Sequence, residues 1–251
     1  MRTCAFCGGE ANSREDAWPV WLVDFIHQGR KSRIGVIFGP DVPEIIWGGQ
    51  YIKVKRVCKV HCNNGWMSTL EDKTRPFLKP MIQDVAAQPL DLSAQAFLAQ
   101  WSVKTVMALE LARPGRDWFY TDADRRHLFQ WGTPPPDTTI WIGRYVNSHS
   151  LFGQANKLAK PKSESLFREG YSAVLVLGRV VLQVASVRAK IATTSHRHMT
   201  PSISDKSLPW DSLLFKIWPI TDNVIRWPPS LHFSESGYRI ASLLRRFGPN
   251  V

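Results

Sequence analysis

Long hydrophobic runs are missing from this sequence of 251 residues. No apolar stretch reaches the roughly 18 residues that a membrane-spanning helix needs, and the first residues lack the apolar core of a signal peptide. Runs of five or six like charges are also missing, which argues against a disordered charged tail. We therefore expect a folded cytoplasmic protein with no membrane partner.

Cysteine is scarce as well, with four residues that form two close pairs. In a reducing compartment such pairs are more often metal ligands than disulfides, and each pair is close enough to hold one tetrahedral zinc ion. The spacing predicts one structural zinc ion bound by Cys4, Cys7, Cys58 and Cys62. His61 is an alternative ligand, because Cys58-x2-His61 is also a zinc spacing and would leave Cys62 free.

Acidic residues are outnumbered by basic ones, and the formal net charge is +11. The excess is largest in the C-terminal third of the chain. A basic folded surface attracts polyanions, of which nucleic acid is the commonest inside cells. The charge therefore favours a nucleic-acid partner, and a solvated basic surface without a specific partner is the alternative.

The pattern of apolar residues and turns predicts both helices and strands. Helices are predicted behind Pro19 and over 63–73, 93–112, 122–131 and 236–247. Strands are predicted over 33–38, 51–57, 138–145, 171–177 and 180–187, with polar loops over 146–169 and 191–209. Ser93 is the expected cap of the longest helix, whose apolar residues are mostly on one side, and Pro76 and Pro80 should limit the helix over 63–73.

Three motifs occur in order in the first third of the chain. They are Cys4-x2-Cys7, then Glu15-Asp16-x2-Pro19-x-Trp21-Leu22, and then Cys58-x3-Cys62-Asn63-Asn64-Gly65-Trp66-Met67-x2-Leu70-Glu71. This pattern resembles the zinc-containing branch of the HNH endonucleases, in a bacterial subgroup. The resemblance covers roughly the first 110 residues, including the helix around Trp101-x2-Lys104.

The resemblance, together with the pattern of predicted helices and strands, predicts an α+β fold in three parts. Residues 1–85 would form a zinc-stabilised, HNH-like ββα module. Residues 86–136 would be helical, and residues 137–251 would form a mainly antiparallel, β-rich C-terminal domain.

The resemblance also implies a catalytic site that binds a second divalent ion, Mg²⁺ or Mn²⁺. The family normally has an acidic residue followed by a histidine that acts as general base, where this chain has Glu15-Asp16. A carboxylate is a weaker base than imidazole at neutral pH but a better ligand for a hard metal ion. Asn63 and Glu71 match the positions of the family's later motif residues. Glu15, Asp16, Asn63 and Glu71 would then surround the catalytic ion.

The function expected from this site is metal-dependent endonuclease activity on the phosphodiester bonds of nucleic acid, with DNA as the favoured substrate. The alternative is a catalytically inactive, zinc-stabilised protein that binds nucleic acid or a protein. Under that alternative Asp16 and Asn63 only cap helices and Glu71 is a solvated charge. A purely structural zinc protein is a third possibility. Oligomeric state stays open.

Overall fold

The computed structural model describes residues 2–28, 35–38, 44–47, 51–84, 87–113, 118–146, 151–163, 166–191, 209–221 and 223–234. Within these residues the fold is a mixture of helices and mainly antiparallel strands, which agrees with the predicted α+β class. In the described part of the chain, none of the helices has the length and the apolar character needed to cross a membrane. The predicted helix over 236–247 lies outside the described residues, as does almost all of the loop predicted over 191–209.

Helices surround a long central one. The α-helices of the described residues are α1 Val20–His27, α2 Ser68–Gln83, α3 Leu92–Ala112, α4 Asp122–Trp131 and α5 Trp210–Leu213. A π-helical turn over Lys59–Met67 leads directly into α2. The helices predicted behind Pro19 and over 122–131 are confirmed, and α4 ends at Gly132 with φ of 64°.

The central helix α3 is buried on all sides in its second half, and not on one side as the apolar pattern predicts. Every residue from 101 to 111 is buried, because α3 contacts α2, α4 and strands on both sides of it. Its cap also differs from the prediction. The Asp91 carboxylate, not Ser93, accepts a hydrogen bond of 2.7 Å from the Ala94 backbone N–H.

Strands form one large sheet and two small ones. The strands are β1 Ser13–Asp16, β2 Gly35–Phe38, β3 Glu44–Trp47, β4 Lys53–Val57, β5 Gln88–Leu90, β6 Thr138–Arg144, β7 Leu151–Ser163, β8 Leu166–Leu177, β9 Val180–Ile191, β10 Leu214–Trp218 and β11 Ile225–Trp227. The large sheet has the order β10-β6-β9-β8-β7-β2-β3, and the pairs β1-β4 and β11-β5 stand apart. All pairings are antiparallel except that of β2 with β7.

The large sheet takes strands from both ends of the described chain, since β2 and β3 lie beside β7. The predicted boundaries near residues 85 and 136 stay a prediction. The polar loop predicted over 146–169 is wrong, because most of it belongs to the β7–β8 hairpin. Backbone hydrogen bonds hold these two strands together, and the polarity of the side chains does not reveal this pairing.

Two prolines lie inside α2 and do not end it, contrary to the prediction. Pro76 and Pro80 remove two N–H donors, but both are at least partly exposed, so water can reach the carbonyl groups left without a partner. Buried Leu78, Met81 and Ile82 hold this part of the helix against the core. Packing thus overrides the local preference to stop.

Candidate metal centre and the adjoining cleft

Four cysteines converge where the N-terminal turn meets the end of β4. Cys4 and Cys7 lie in a tight turn, in which the Cys4 backbone N–H donates to the Gly9 carbonyl at 2.7 Å and Gly8 has φ of 78°. Glycine adopts this left-handed conformation without steric cost. Cys58 directly follows β4, and Cys62 lies in the π-helical turn.

The sulfur geometry fits one metal ion. All four Sγ atoms lie within 4.8 Å of one another, with 3.6 Å between Cys4 and Cys62. Tetrahedral zinc with bonds of about 2.3 Å places its sulfur ligands about 3.8 Å apart. The four cysteines predicted from sequence therefore lie together and can hold a metal ion such as zinc. His61 is exposed and outside this group, whereas Cys62 is buried in it, so the geometry does not favour the alternative ligand set.

The thiols influence one another's protonation. The hydrogen bond with the Cys62 thiol lowers the pKa of Cys4 to about 4, and the same bond together with burial raises the pKa of Cys62. Of this pair, Cys4 is therefore the first to reach the thiolate form. The thiolate is the form that binds a metal ion.

A cleft of about 590 Å³ adjoins the cysteine cluster and is lined by all four residues that the HNH resemblance singles out. Glu15 and Asp16 come from the end of β1, Asn63 from the π-helical turn, and Glu71 from the first turn of α2. Pro19 and the start of α1 complete the wall and add a fourth carboxylate, Asp24. Segments that are distant in sequence thus bring Glu15, Asp16 and Glu71 into one cleft with the Asn63 amide.

Asp16 makes one ion pair in the cleft and keeps one oxygen without a partner. Its Oδ2 lies 2.7 Å from the Lys53 ammonium, which is the neighbouring side chain across the β1–β4 pair. Its Oδ1 is shielded from solvent, and no donor among the described residues forms a hydrogen bond with it. An orphaned carboxylate oxygen of this kind indicates a place for water, an ion or a ligand.

Glu15 and Glu71 share a buried lysine. The Lys104 Nζ atom, on the fully buried part of α3, lies 2.8 Å from Glu71 Oε1 and 3.4 Å from Glu15 Oε1. Burial raises the pKa of Glu15 even though Lys104 opposes the shift. Burial lowers the pKa of Lys104, but the attraction of both carboxylates outweighs it and the net shift is upward.

Lys104 is a residue of this site that was not predicted from sequence. The available signal was a single charge in the otherwise uncharged stretch Trp101–Leu109, where a buried lysine requires an anionic partner. The partners themselves come from β1 and α2, so only the fold reveals them.

Asn63 is fixed in orientation by two hydrogen bonds. Its side-chain amide donates to Ser13 Oγ at 2.6 Å, and its backbone N–H donates to the Cys58 carbonyl at 3.0 Å. The second bond ties Asn63 directly to a cysteine of the cluster. Formation of the metal centre and placement of Asn63 in the cleft are therefore coupled.

No family model, curated protein or solved structure matches this chain. The chemistry of the described residues is therefore the basis for inferring a function.

Proposed function

We propose that this protein is a metal-dependent endonuclease that hydrolyses nucleic-acid phosphodiester bonds, with DNA as its substrate, in the cleft beside a structural zinc centre. The observation that carries the proposal is the meeting of Glu15, Asp16, Asn63 and Glu71 in that cleft. These residues come from distant parts of the chain; β1 pairs with β4, and α2 follows β4 after the π-helical turn.

The cysteine cluster would hold zinc with Cys4, Cys7, Cys58 and Cys62 as its four ligands. A site closed by four thiolates leaves no open position for substrate, which is the property of structural zinc sites. The ion would fix the N-terminal turn against the π-helical turn. Through the bond between Asn63 and Cys58 it would also support the cleft.

A second divalent ion would be held by Asp16 and Asn63. Mg²⁺ is typically bound through one or two carboxylates, with water and substrate phosphate completing its shell, so the orphaned Asp16 oxygen and an amide are a sufficient protein contribution. When bound, such an ion supplies charge stabilisation to the phosphodiester undergoing hydrolysis. In the described cleft Glu15 and Glu71 are already engaged by Lys104, so they position its wall and do not complete the shell.

Other side chains of the cleft would bind and orient the substrate. Arg75 lines the cleft and offers a guanidinium to phosphate, since its pair with Asp72 is a surface pair that water screens. Lys53 is 45% exposed and can leave Asp16 at small cost when a divalent ion competes for the same carboxylate.

A second candidate function, binding of nucleic acid without cleavage, is favoured by a specific observation. Asp16 forms an ion pair with the Lys53 ammonium. Glu15 and Glu71 both form ion pairs with the Lys104 ammonium. No imidazole is among the side chains that line the described cleft. Under this candidate the carboxylates stabilise the fold and the basic surface binds the phosphate backbone.

Plasmid nicking with Mg²⁺ or Mn²⁺ separates the two candidates. For the endonuclease we expect nicking by the wild type and loss of nicking in Asp16→Ala and in Asn63→Ala, with zinc content and melting temperature retained. Asp211→Asn, which changes an exposed carboxylate outside the cleft, is the control and should nick normally.

An inert wild type that still binds DNA would support the second candidate. In that case Asp16→His is expected to restore cleavage by supplying a general base, a change that typically contributes about 10²- to 10⁴-fold. Nicking that is equally strong in both alanine variants would contradict the placement of the active site in this cleft.

A further inference from the structure

A second pocket, of about 320 Å³, lies beside the cleft and is lined by cationic and neutral polar residues. Its walls are formed by Arg2, Ala11, Asn12, Ser13, Arg14 and Lys55. Three of these side chains are positively charged and none is acidic. Asn12 is held in place because its Oδ1 accepts a hydrogen bond of 2.9 Å from the Lys59 backbone N–H.

The three cations of this pocket are not neutralised by ion pairs within the described part of the chain. Among the residues that the structure describes, no carboxylate forms an ion pair with Arg2, Arg14 or Lys55. Some other cations of the fold are paired, as Arg56 is with Asp122 at 2.9 Å. Three uncompensated positive charges around one small pocket create a local attraction for an anion.

A β-bulge brings two of these cations together. The register between β1 and β4 shifts between Ser13 and Glu15, so that Arg14 faces an extra residue on β4. Bulges re-aim side chains in this way. Arg56 turns toward Asp122, whereas the adjacent Lys55 remains exposed in the pocket next to Arg14.

The pocket and the cleft are consecutive along β1. Ser13 and Arg14 line the pocket, and the next two residues, Glu15 and Asp16, line the cleft. Two strand residues span about 7 Å, which is comparable with the separation of neighbouring phosphates on a nucleic-acid strand. The hydrogen bond from Asn63 to Ser13 connects the two sites directly.

We propose that this pocket is a phosphate subsite, in which Arg2, Arg14 and Lys55 bind the backbone phosphate adjacent to the phosphodiester in the cleft. The statement that a phosphodiester occupies the cleft rests on the proposed function. The subsite itself requires only a nucleic-acid strand that runs along β1. Arginine and lysine bind phosphate oxygens by charge-assisted hydrogen bonds, and Asn12 adds a neutral polar wall.

The test is DNA binding measured by fluorescence anisotropy over a salt series, with a 20-base-pair duplex and the full-length protein. The variant Arg14→Gln/Lys55→Gln is compared with Arg126→Gln/Lys216→Gln, which removes the same two charges from exposed positions outside the pocket. Each neutralised phosphate contributes about 0.9 to the salt slope, so we expect the pocket variant, which loses its contact with one phosphate, to lose about 1 in slope and at least about tenfold in affinity at low salt.

The control variant should keep a slope within about half a unit of the wild type, and Arg14→Lys/Lys55→Arg should restore binding because it restores the charge. Equal losses in the pocket and control variants would show that only net charge matters and would overturn the subsite. Absence of DNA binding by the wild type would overturn it too. Plasmid nicking is scored separately, so a protein that binds through the pocket without cutting would refute the endonuclease and retain the subsite.

Discussion

Removal of the buried Lys104 ammonium tests whether the Glu15–Lys104–Glu71 cluster holds β1, α2 and α3 together. In Lys104→Met the chain keeps a side chain of similar length, but two nearly buried carboxylates lose their common counter-charge. Breaking a buried ion pair by removing one partner typically costs about 3–5 kcal/mol, because a charge is left uncompensated. For a chain of this size that corresponds to a fall in melting temperature of roughly 6–20 °C.

The cost should depend on pH. Burial already raises the pKa of Glu15 in the folded state, and Lys104→Met removes the ammonium that opposes this shift. Groups shifted in this direction contribute stability at low pH that is lost as the pH rises. The difference between variant and wild type should therefore shrink as the pH falls from 7 toward 5.

Thermal and urea unfolding followed by circular dichroism measure these effects. Lys53→Met is the matched control, because its partner Asp16 is at the same short distance but the lysine is 45% exposed, and it should lose less than about 1 kcal/mol. The triple variant Glu15→Gln/Glu71→Gln/Lys104→Met, which carries no charge, should recover most of the loss. A Lys104→Met variant that is as stable as Lys53→Met at pH 7, or whose loss is independent of pH, would refute the reasoning.

Three further predictions concern the metal centre, a buried glutamate and a glycine. Elemental analysis should find one zinc ion per chain, with His61→Ala retaining it and Cys62→Ser losing it; retention in Cys62→Ser and loss in His61→Ala would favour the alternative ligand set. Burial raises the pKa of Glu110 from 4.5 to about 7, so its contribution to the free energy of unfolding is present below pH 4.5 and is lost as the pH rises through 7. Glu110→Gln should therefore reduce the change of the unfolding free energy with pH, measured by urea titrations. An unchanged pH dependence would contradict the raised pKa of Glu110. A Cβ atom at Gly65 would lie 2.7 Å from the Val60 carbonyl oxygen. Gly65→Ala should therefore lower the free energy of unfolding by about 1–3 kcal/mol in thermal melts, whereas Asn64→Ala should change it by less than about 0.5 kcal/mol. Equal melting temperatures for the two variants would show that the turn adapts to the added atom.

The metal centre could be predicted from sequence because its ligands are encoded by spacing. Two cysteines on a tight turn can face one ion whatever surrounds them, and two such turns need only meet. Strand and helix positions near the cysteines followed from the same short-range patterns. Nothing comparable encodes the partners of Lys104, which arise from the crossing of α3 with β1 and α2.

Long-range pairing also explains the errors. The strand over 171–177 was predicted, but β7 and the first part of β8 were assigned to a loop because their sequence contains polar residues, glycine and proline. In the fold each strand is held by a backbone ladder with its neighbours, and that ladder is insensitive to side-chain polarity. The helix α2 shows the same effect, since its buried apolar side outweighs two internal prolines.

The aspartate at position 16 is best understood together with the lysine at position 53. Asp16 and Lys53 are register partners in the β1–β4 pair, and opposite charges placed across two strands stabilise the pair by about 0.2–1 kcal/mol. A histidine at position 16 would face the same ammonium, which disfavours the imidazolium form and lowers the pKa of the ring. The departure from the HNH pattern at Asp16 is thus matched by a cation on the neighbouring strand. Because Lys53 leaves the second oxygen of Asp16 without a donor, this ion pair stabilises the strands and still leaves a carboxylate oxygen for the cleft.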